Sequence, residues 1–130
     1  MAASRLNLHQ VAADRALEFP GAELAHPFGP EWDVYKVCGK VFMLQSEVRD
    51  GSFTNLKSDP ADAEALRASY RQITAGYHMN KRHWISVYDG ADVDSEFMRE
   101  LVTESYLQVL EQNVPKKRWP VDPAALRPCI

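Results

Sequence analysis

The sequence predicts an α+β domain in which helices pack on one face of a single, mostly antiparallel sheet. Short turn signals at Gly39-Lys40 and Asp50-Gly51 separate strand-like runs, and links of this length join antiparallel hairpins. Helical patterns lie near both ends of the chain and interrupt the strands once, so the expected order is α-β-β-β-β-α-β-α in two layers. The length of 130 residues fits one domain.

The first two helices are predicted from capping residues and apolar spacing. Residues 5–18 carry apolar side chains at helical spacing, and either Ser4 or Asn7 can cap them. A second helix is expected to begin at Asp59-Pro60. Aspartate accepts hydrogen bonds from free backbone N–H groups there, and proline fits the first helical position, where a missing donor does no harm.

The third helix is expected to start near Asp92 or Asp94 and to end before Pro115. Residues 119–130 hold three prolines, and we expect this tail to be extended. The predicted organisation is therefore a single domain over residues 1–118, followed by a proline-rich C-terminal tail over residues 119–130.

The strands are predicted from β-branched and aromatic runs bounded by turn residues. Alternation in the third strand is expected to place Phe42, Leu44 and Ser46 on one face. Residues 71–83 are expected to be irregular or extended. The predicted strands cover residues 22–28, 33–38, 41–48, 53–56 and 84–88.

The charge of the chain limits the classes of partner. The formal net charge is -3 and the sequence pI is near 5.8, which counts against tight electrostatic binding of DNA but permits a local basic patch. Residues 1–70 carry seven cations and ten anions, and residues 71–130 carry eight of each, so neither half is basic.

Two features of the sequence favour a cytoplasmic location. The cysteines, Cys38 and Cys129, have no metal-binding spacing, and we expect free thiols in a reducing compartment. The first ten residues lack the apolar segment of a secretory signal, and no run of about 20 apolar residues could span a membrane. No membrane partner is therefore expected.

The most unusual local sequence is Gly76–Trp84, which reads G-Y-H-M-N-K-R-H-W. It fits a phosphate or nucleic-acid contact, in which cations meet the backbone and an aromatic ring stacks on a base. A metal site is disfavoured, because the two histidines lie five residues apart and suit neither a helical pair nor a same-face strand pair. A structural role in a loop remains the third interpretation. The residues assigned to a nucleic-acid or anion site are Lys57, His78, Asn80, Lys81, Arg82 and His83.

Two other segments have alternative interpretations. Phe28 and Trp32 lie on a proline-rich turn, which is either a rigid connection or a contact for a protein partner. The run Lys116–Arg118 follows the last helix. Its cations either interact favourably with the helix C-terminus or extend a phosphate-facing patch.

Catalytic motifs are missing from the sequence. We find no nucleophile elbow, no P-loop, no dinucleotide fingerprint and no H-E-x-x-H zinc motif. We therefore expect no enzymatic activity, no catalytic residue and no cofactor.

Several strings in the chain resemble the MmcQ/YjbR family, in order and spacing, from about Leu17 to Arg118. This resemblance implies a two-layer fold shared with secretion chaperones and frataxin-like CyaY proteins. It also implies DNA binding through a double-wing arrangement, and it assigns no catalytic residue. The matching strings are P-G-A-E at 20–23, P-F-G-P at 27–30, V-Y-K-V-C-G-K-V-F at 34–42, N-L-K at 55–57 and G-Y-H-M-N-K-R-H-W at 76–84.

Three functions remain open at this point. The first is a DNA-binding module with weak, salt-dependent affinity. The second is a protein-interaction or chaperone-like module, whose partner is another protein or a second copy of the chain. The third is a small-anion binder or a cryptic enzyme that uses His78, Asn80 and Lys81 of the Gly76–Trp84 segment.

Overall fold

The computed structural model describes residues 7–48, 51–77, 79–89 and 92–126, and it confirms the predicted α+β class. The described helices are α1 (Leu8–Glu18), α2 (Pro60–Ser69) and α3 (Ser95–Asn113). The described strands are β1 (Ala22–Ala25), β2 (Asp33–Val37), β3 (Lys40–Val48), β4 (Gly51–Lys57), β5 (Ile73–Ala75) and β6 (Trp84–Tyr88).

Each helix begins at a side-chain cap, as the sequence predicts. The carboxamide of Asn7 accepts a hydrogen bond from a backbone N–H of α1, and the carboxylates of Asp59 and Asp94 do the same for α2 and α3. Such caps satisfy backbone donors that have no partner within the helix, and each stabilises the protein by about 1 kcal/mol.

The strands form one sheet with the order β1-β2-β3-β4-β6-β5, and every neighbouring pair is antiparallel. The predicted element order is confirmed. The short strand β5 lies within the segment that was expected to be irregular or extended, and it pairs with β6 at the edge of the sheet.

A β-bulge between β2 and β3 changes the face on which Phe42 lies. Tyr35 is opposite Met43, but Lys36 is opposite Val41, so Phe42 is an extra residue in β3. Its ring packs 5.3 Å from the ring of Tyr106 in α3. The expectation that Phe42 shares a face with Leu44 and Ser46 is wrong, because simple alternation ignores the inserted residue.

The main core lies between the sheet and the helices α1 and α3. Tyr106 stacks on Phe19 with a centroid distance of 4.4 Å, and both rings are buried. Small residues of α1, Ala12 and Ala16, are fully buried and let this helix approach closely. Burial of a large apolar side chain stabilises a fold by about 1.5–3 kcal/mol, so this layer fixes the sheet beneath it.

The segment after α3 packs onto the body of the protein as far as residue 126. The indole N–H of Trp119 donates to the carbonyl oxygens of Leu110 and Val114, each at 2.9 Å. A short 3-10 turn follows at Pro123–Ala125. The expectation of an extended tail is therefore wrong for residues 119–126, while Cys129 lies outside the described residues. The domain division at residue 118 stays a prediction.

Candidate functional site

The face of the sheet opposite the helices is covered by two loops, residues 26–32 and the described residues 76–77 and 79–83. We call it the loop face. It carries a second apolar layer in which Phe53 is buried. The ring of Trp32, from the first loop, meets Phe53 edge-on at 5.7 Å, and the ring of Tyr77, from the second, meets it at 5.3 Å. Both loops are thus anchored on one strand.

A buried hydrogen-bond network holds the second loop in place. Asn55 of β4 and Ser86 of β6 lie opposite each other, and both are fully buried. The amide of Asn55 donates to the carbonyl oxygen of Tyr77 at 3.0 Å, and the N–H of Tyr77 donates to the hydroxyl of Ser86 at 2.8 Å. The hydroxyl of Ser86 in turn donates to the amide oxygen of Asn55. Two strand side chains therefore satisfy both backbone groups of one loop residue.

Gly76 allows this loop to approach β6 closely. Its N–H donates to the carbonyl oxygen of Trp84 at 2.9 Å. A Cβ atom at position 76 would lie 2.7 Å from the Cβ of Trp84, which is well inside van der Waals contact. Position 76 therefore has no room for a side chain larger than that of glycine.

Between the two loops lies an apolar cleft of about 380 Å³. Phe28 and Trp32 come from the first loop and Met79 from the second, while Val41 and Leu44 of β3 form the floor. Phe28 is 64% exposed, which is high for a large apolar side chain. The structure thus brings together Phe28 and Trp32, which the sequence indicated as partner contacts, and the Gly76–Trp84 segment, which it indicated separately.

The antiparallel register gathers cations at one end of the sheet. The end of β4 lies beside the start of β6, since Lys57 is opposite Trp84, and Lys81 and Arg82 directly precede this strand. The start of β3 lies at the same end, where Lys40 is opposite Val37 of β2.

The C-terminus of α3 adds further cations at this end. The ammonium nitrogen of Lys57 donates to the side-chain oxygen of Asn113 at 2.9 Å. The thiol of Cys38, in the β2–β3 turn, lies 3.5 Å from the carbonyl oxygen of Arg118. These two contacts place the run 116–118 beside the ends of the strands. We call this region the lysine end, and its cations are Lys36, Lys40, Lys57, Lys81, Arg82, Lys116, Lys117 and Arg118.

The lysine end contains all six lysines of the chain. Most of its cations are exposed, and only Lys36 and Lys57 are partly buried. The opposite end of the sheet carries Asp33, Glu47 and Asp89, while Glu23 of β1 is opposite Lys36 near the lysine end, so positive and negative charges are partly separated along the strands. The even distribution of charge along the sequence hides this separation.

The predicted site residues differ in how they are used. Lys81 and Arg82 are exposed in a turn, and Asn80 braces that turn by accepting a hydrogen bond from the N–H of Arg82 at 2.9 Å. The carbonyl of His83 accepts from the N–H of Ser58 at 2.8 Å, and its side chain is exposed. His78 lies outside the described residues.

Among the predicted site residues that the structure describes, Lys57 is the one that is partly buried, and its side chain is held by a hydrogen bond. Its ammonium group contacts Asn113, and burial lowers the pKa of Lys57 from its ordinary value. Loss of hydration disfavours the charged form of Lys57, whereas Lys81 is exposed.

Sequence reasoning missed the residues that position the site. Asn55 belongs to the N-L-K string, and an amide in the middle of a predicted strand is the signal that could have identified it. The guanidinium of Arg67, on α2, donates to the carbonyl oxygen of Lys81 at 3.4 Å, a contact that only the fold creates.

Metal ligation and membrane insertion are the other site classes raised by the sequence. Among the described residues, no group of three or more histidine, cysteine, aspartate or glutamate side chains is arranged to hold a metal ion. No helix within the described part of the chain is both long and apolar enough to cross a bilayer.

The fold and its two-loop face define a small two-layer α+β domain with a cationic end. The chain belongs to the YjbR family, whose model matches residues 17–108, and this confirms the resemblance drawn from the sequence strings. The match includes both loops of the loop face and all of α2, β5 and β6.

Two curated relatives and one solved structure support this assignment, and a second solved structure shares the fold alone. An Escherichia coli O157:H7 protein described as uncharacterized protein YbdF is 49% identical over 105 residues, covering 81% of this chain and 86% of that protein. Uncharacterized protein YjbR of E. coli K12 is 34% identical over 100 residues, covering 76% and 84%. The crystal structure of Deinococcus radiodurans protein DR2400 has a TM-score of 0.74 at 33% identity, covering 81% of this chain and 80% of that one. A Pseudomonas syringae protein, with a TM-score of 0.66 at 22% identity over 77% of this chain and 96% of its own, shares the fold.

Proposed function

We propose that this protein binds DNA through the lysine end. The observation that carries the proposal is the gathering of all six lysines at one end of the sheet in a chain of net charge -3. Clustered cations bind phosphates and release condensed counterions, and this release drives association without any reading of sequence.

The expected affinity is modest and depends strongly on salt. About four phosphate contacts, made by exposed cations such as Lys40, Lys81, Lys116 and Lys117, would weaken binding by about 10²-fold between about 50 and 200 mM salt. The carboxylates at the opposite end of the sheet repel the duplex and restrict it to one orientation.

Lys81→Ala tests the proposal against Arg71→Ala. Fluorescence anisotropy of a labelled duplex is measured over about 50–200 mM salt, and Lys81→Ala is expected to reduce the slope of log affinity against log salt by about 1. Arg71 is an exposed cation that precedes β5, at the end of the sheet away from Trp84, so its removal changes the net charge equally. Equal slopes for both variants, or binding that ignores salt, would refute the proposal.

A further inference from the structure

The apolar cleft of the loop face borders the lysine end, and this adjacency has a consequence for the kind of nucleic acid that fits. We infer that the cleft receives an unpaired base of a single strand whose phosphates lie on the lysine end. The inference rests on the proposed function and narrows it from DNA in general to single-stranded segments.

The shape and chemistry of the cleft suit a flat aromatic group. Its volume of about 380 Å³ lies in the lower range of small-molecule sites, and its lining side chains are all apolar or aromatic. Phe28 presents an exposed ring at the rim. Aromatic side chains bind single strands by stacking on bases, whereas bases in a duplex have both faces covered by their neighbours.

Cations flank the cleft on the side nearest the lysine end. Val41, in its floor, is directly opposite Lys36, and directly opposed residues of an antiparallel pair lie on the same face. Lys40 is opposite Val37 of the main core and therefore lies on the helix face, whereas Glu23 of β1 is opposite Lys36 on the same face as the cleft. Lys81 follows Met79 by two residues. A base in the cleft would therefore have its own backbone phosphates on the side of Lys36 and Lys81.

This charge arrangement favours a nucleic-acid strand over an apolar protein segment. A peptide that inserts an apolar side chain needs no cation beside the cleft, whereas each nucleotide of a single strand offers one base and one phosphate together. The walls of the cleft are also held before any ligand arrives. Trp32 rests on Phe53, and the backbone of Tyr77 is fixed by Asn55 and Ser86.

The experiment compares an oligothymidine of about ten nucleotides with a duplex carrying the same number of phosphates, using the full-length protein at low salt. The single strand is expected to bind more tightly. Phe28→Ala is expected to weaken its binding by about 5-fold or more, as loss of one stacking contact does, while duplex binding changes little. Phe28→Tyr should restore the affinity. Leu17→Ala is the matched control, because Leu17 is an exposed apolar residue on α1 that does not line the cleft.

The outcomes separate this inference from the proposed function. Equal affinity for single strand and duplex, or equal effects of Phe28→Ala and Leu17→Ala, overturns base insertion and leaves the cleft to another occupant such as a protein. If the salt slope still depends on Lys81 in that case, the proposed function stands. Absence of binding to either nucleic acid overturns both.

Discussion

Asn55 and Ser86 face each other across β4 and β6 and together bond both backbone groups of Tyr77. The contact connects two strands that lie next to each other in the sheet with a loop that follows β5. It explains why an amide occupies a fully buried position in β4. The loop that carries Met79 and Lys81 is thereby set over the cleft and beside the lysine end.

Asn55→Ala should release this loop. The partly buried carbonyl of Tyr77 and the buried hydroxyl of Ser86 would each lose a partner, and an unsatisfied buried group costs about 1–3 kcal/mol. Urea unfolding measures the free energy of unfolding. Ser52→Ala, in the same strand but with an exposed hydrogen bond, should change it by no more than about 0.5 kcal/mol. Similar values for the two variants would contradict the role given to Asn55.

Gly76→Ala should destabilise the protein by about 1–3 kcal/mol, because the added methyl group has no space beside Trp84. The backbone must shift, and the hydrogen bond from Gly76 to Trp84 must lengthen. Thermal and urea unfolding test the change. Gly39→Asn serves as the comparison. No atom lies within 4 Å of a Cβ at Gly39, and asparagine tolerates its positive φ of 80°. An unchanged free energy of unfolding in Gly76→Ala would contradict this account, because it would show that the loop can move to make room for the methyl group.

Stability should fall at alkaline pH because of two buried tyrosines. Burial raises the pKa of Tyr35 and of Tyr106 to about 12, above the ordinary value of about 10. Between these pH values the folded chain keeps protons that the unfolded chain loses. The stabilisation is therefore complete below about pH 10 and is lost as pH rises towards 12. Urea unfolding at pH values from about 9 to 11.5 measures how the free energy of unfolding changes with pH. This dependence should be weaker in the double variant that carries Tyr35→Phe and Tyr106→Phe. If the free energy of unfolding of the double variant falls with pH as steeply as that of the original protein, groups other than these tyrosines cause the loss of stability.

Lys57→Met should affect DNA binding less than Lys81→Ala does. The ammonium group of Lys57 contacts Asn113 and is partly desolvated, whereas Lys81 is exposed. Methionine keeps the apolar stem of the side chain, so we expect the free energy of unfolding to change by less than about 1 kcal/mol. Salt-dependent anisotropy compares the two variants. A larger loss of salt slope from Lys57→Met would place the phosphate contact nearer to α3 than we propose.

Local sequence signals predicted the elements of the fold closely. Asn7, Asp59 and Asp94 are short-range caps, and their hydrogen bonds form within three residues along the chain, so the sequence alone is sufficient to indicate them. The side on which Phe42 lies could not be predicted. A bulge is decided by the pairing of two strands, and nothing in β3 alone marks the inserted residue.

The site was predicted only in pieces. The sequence indicated Lys81, Arg82, Phe28 and Trp32 as separate candidates, but their relation depends on contacts between distant segments. Lys57 and Lys116 are far apart in the chain and meet at one end because β4 and α3 terminate together. A count of charges in each half of the sequence therefore could not reveal the lysine end, which register and helix packing create.

Amide chemical-shift titration with short DNA, at low and at high salt, tests the central claim most directly. We predict that shifts concentrate on the lysine end and the adjoining cleft, around residues 36–41, 79–84 and 116–118, and that they shrink as salt increases. Shifts that instead cluster around Asp33, Glu47 and Asp89, or that persist unchanged at high salt, would contradict the account.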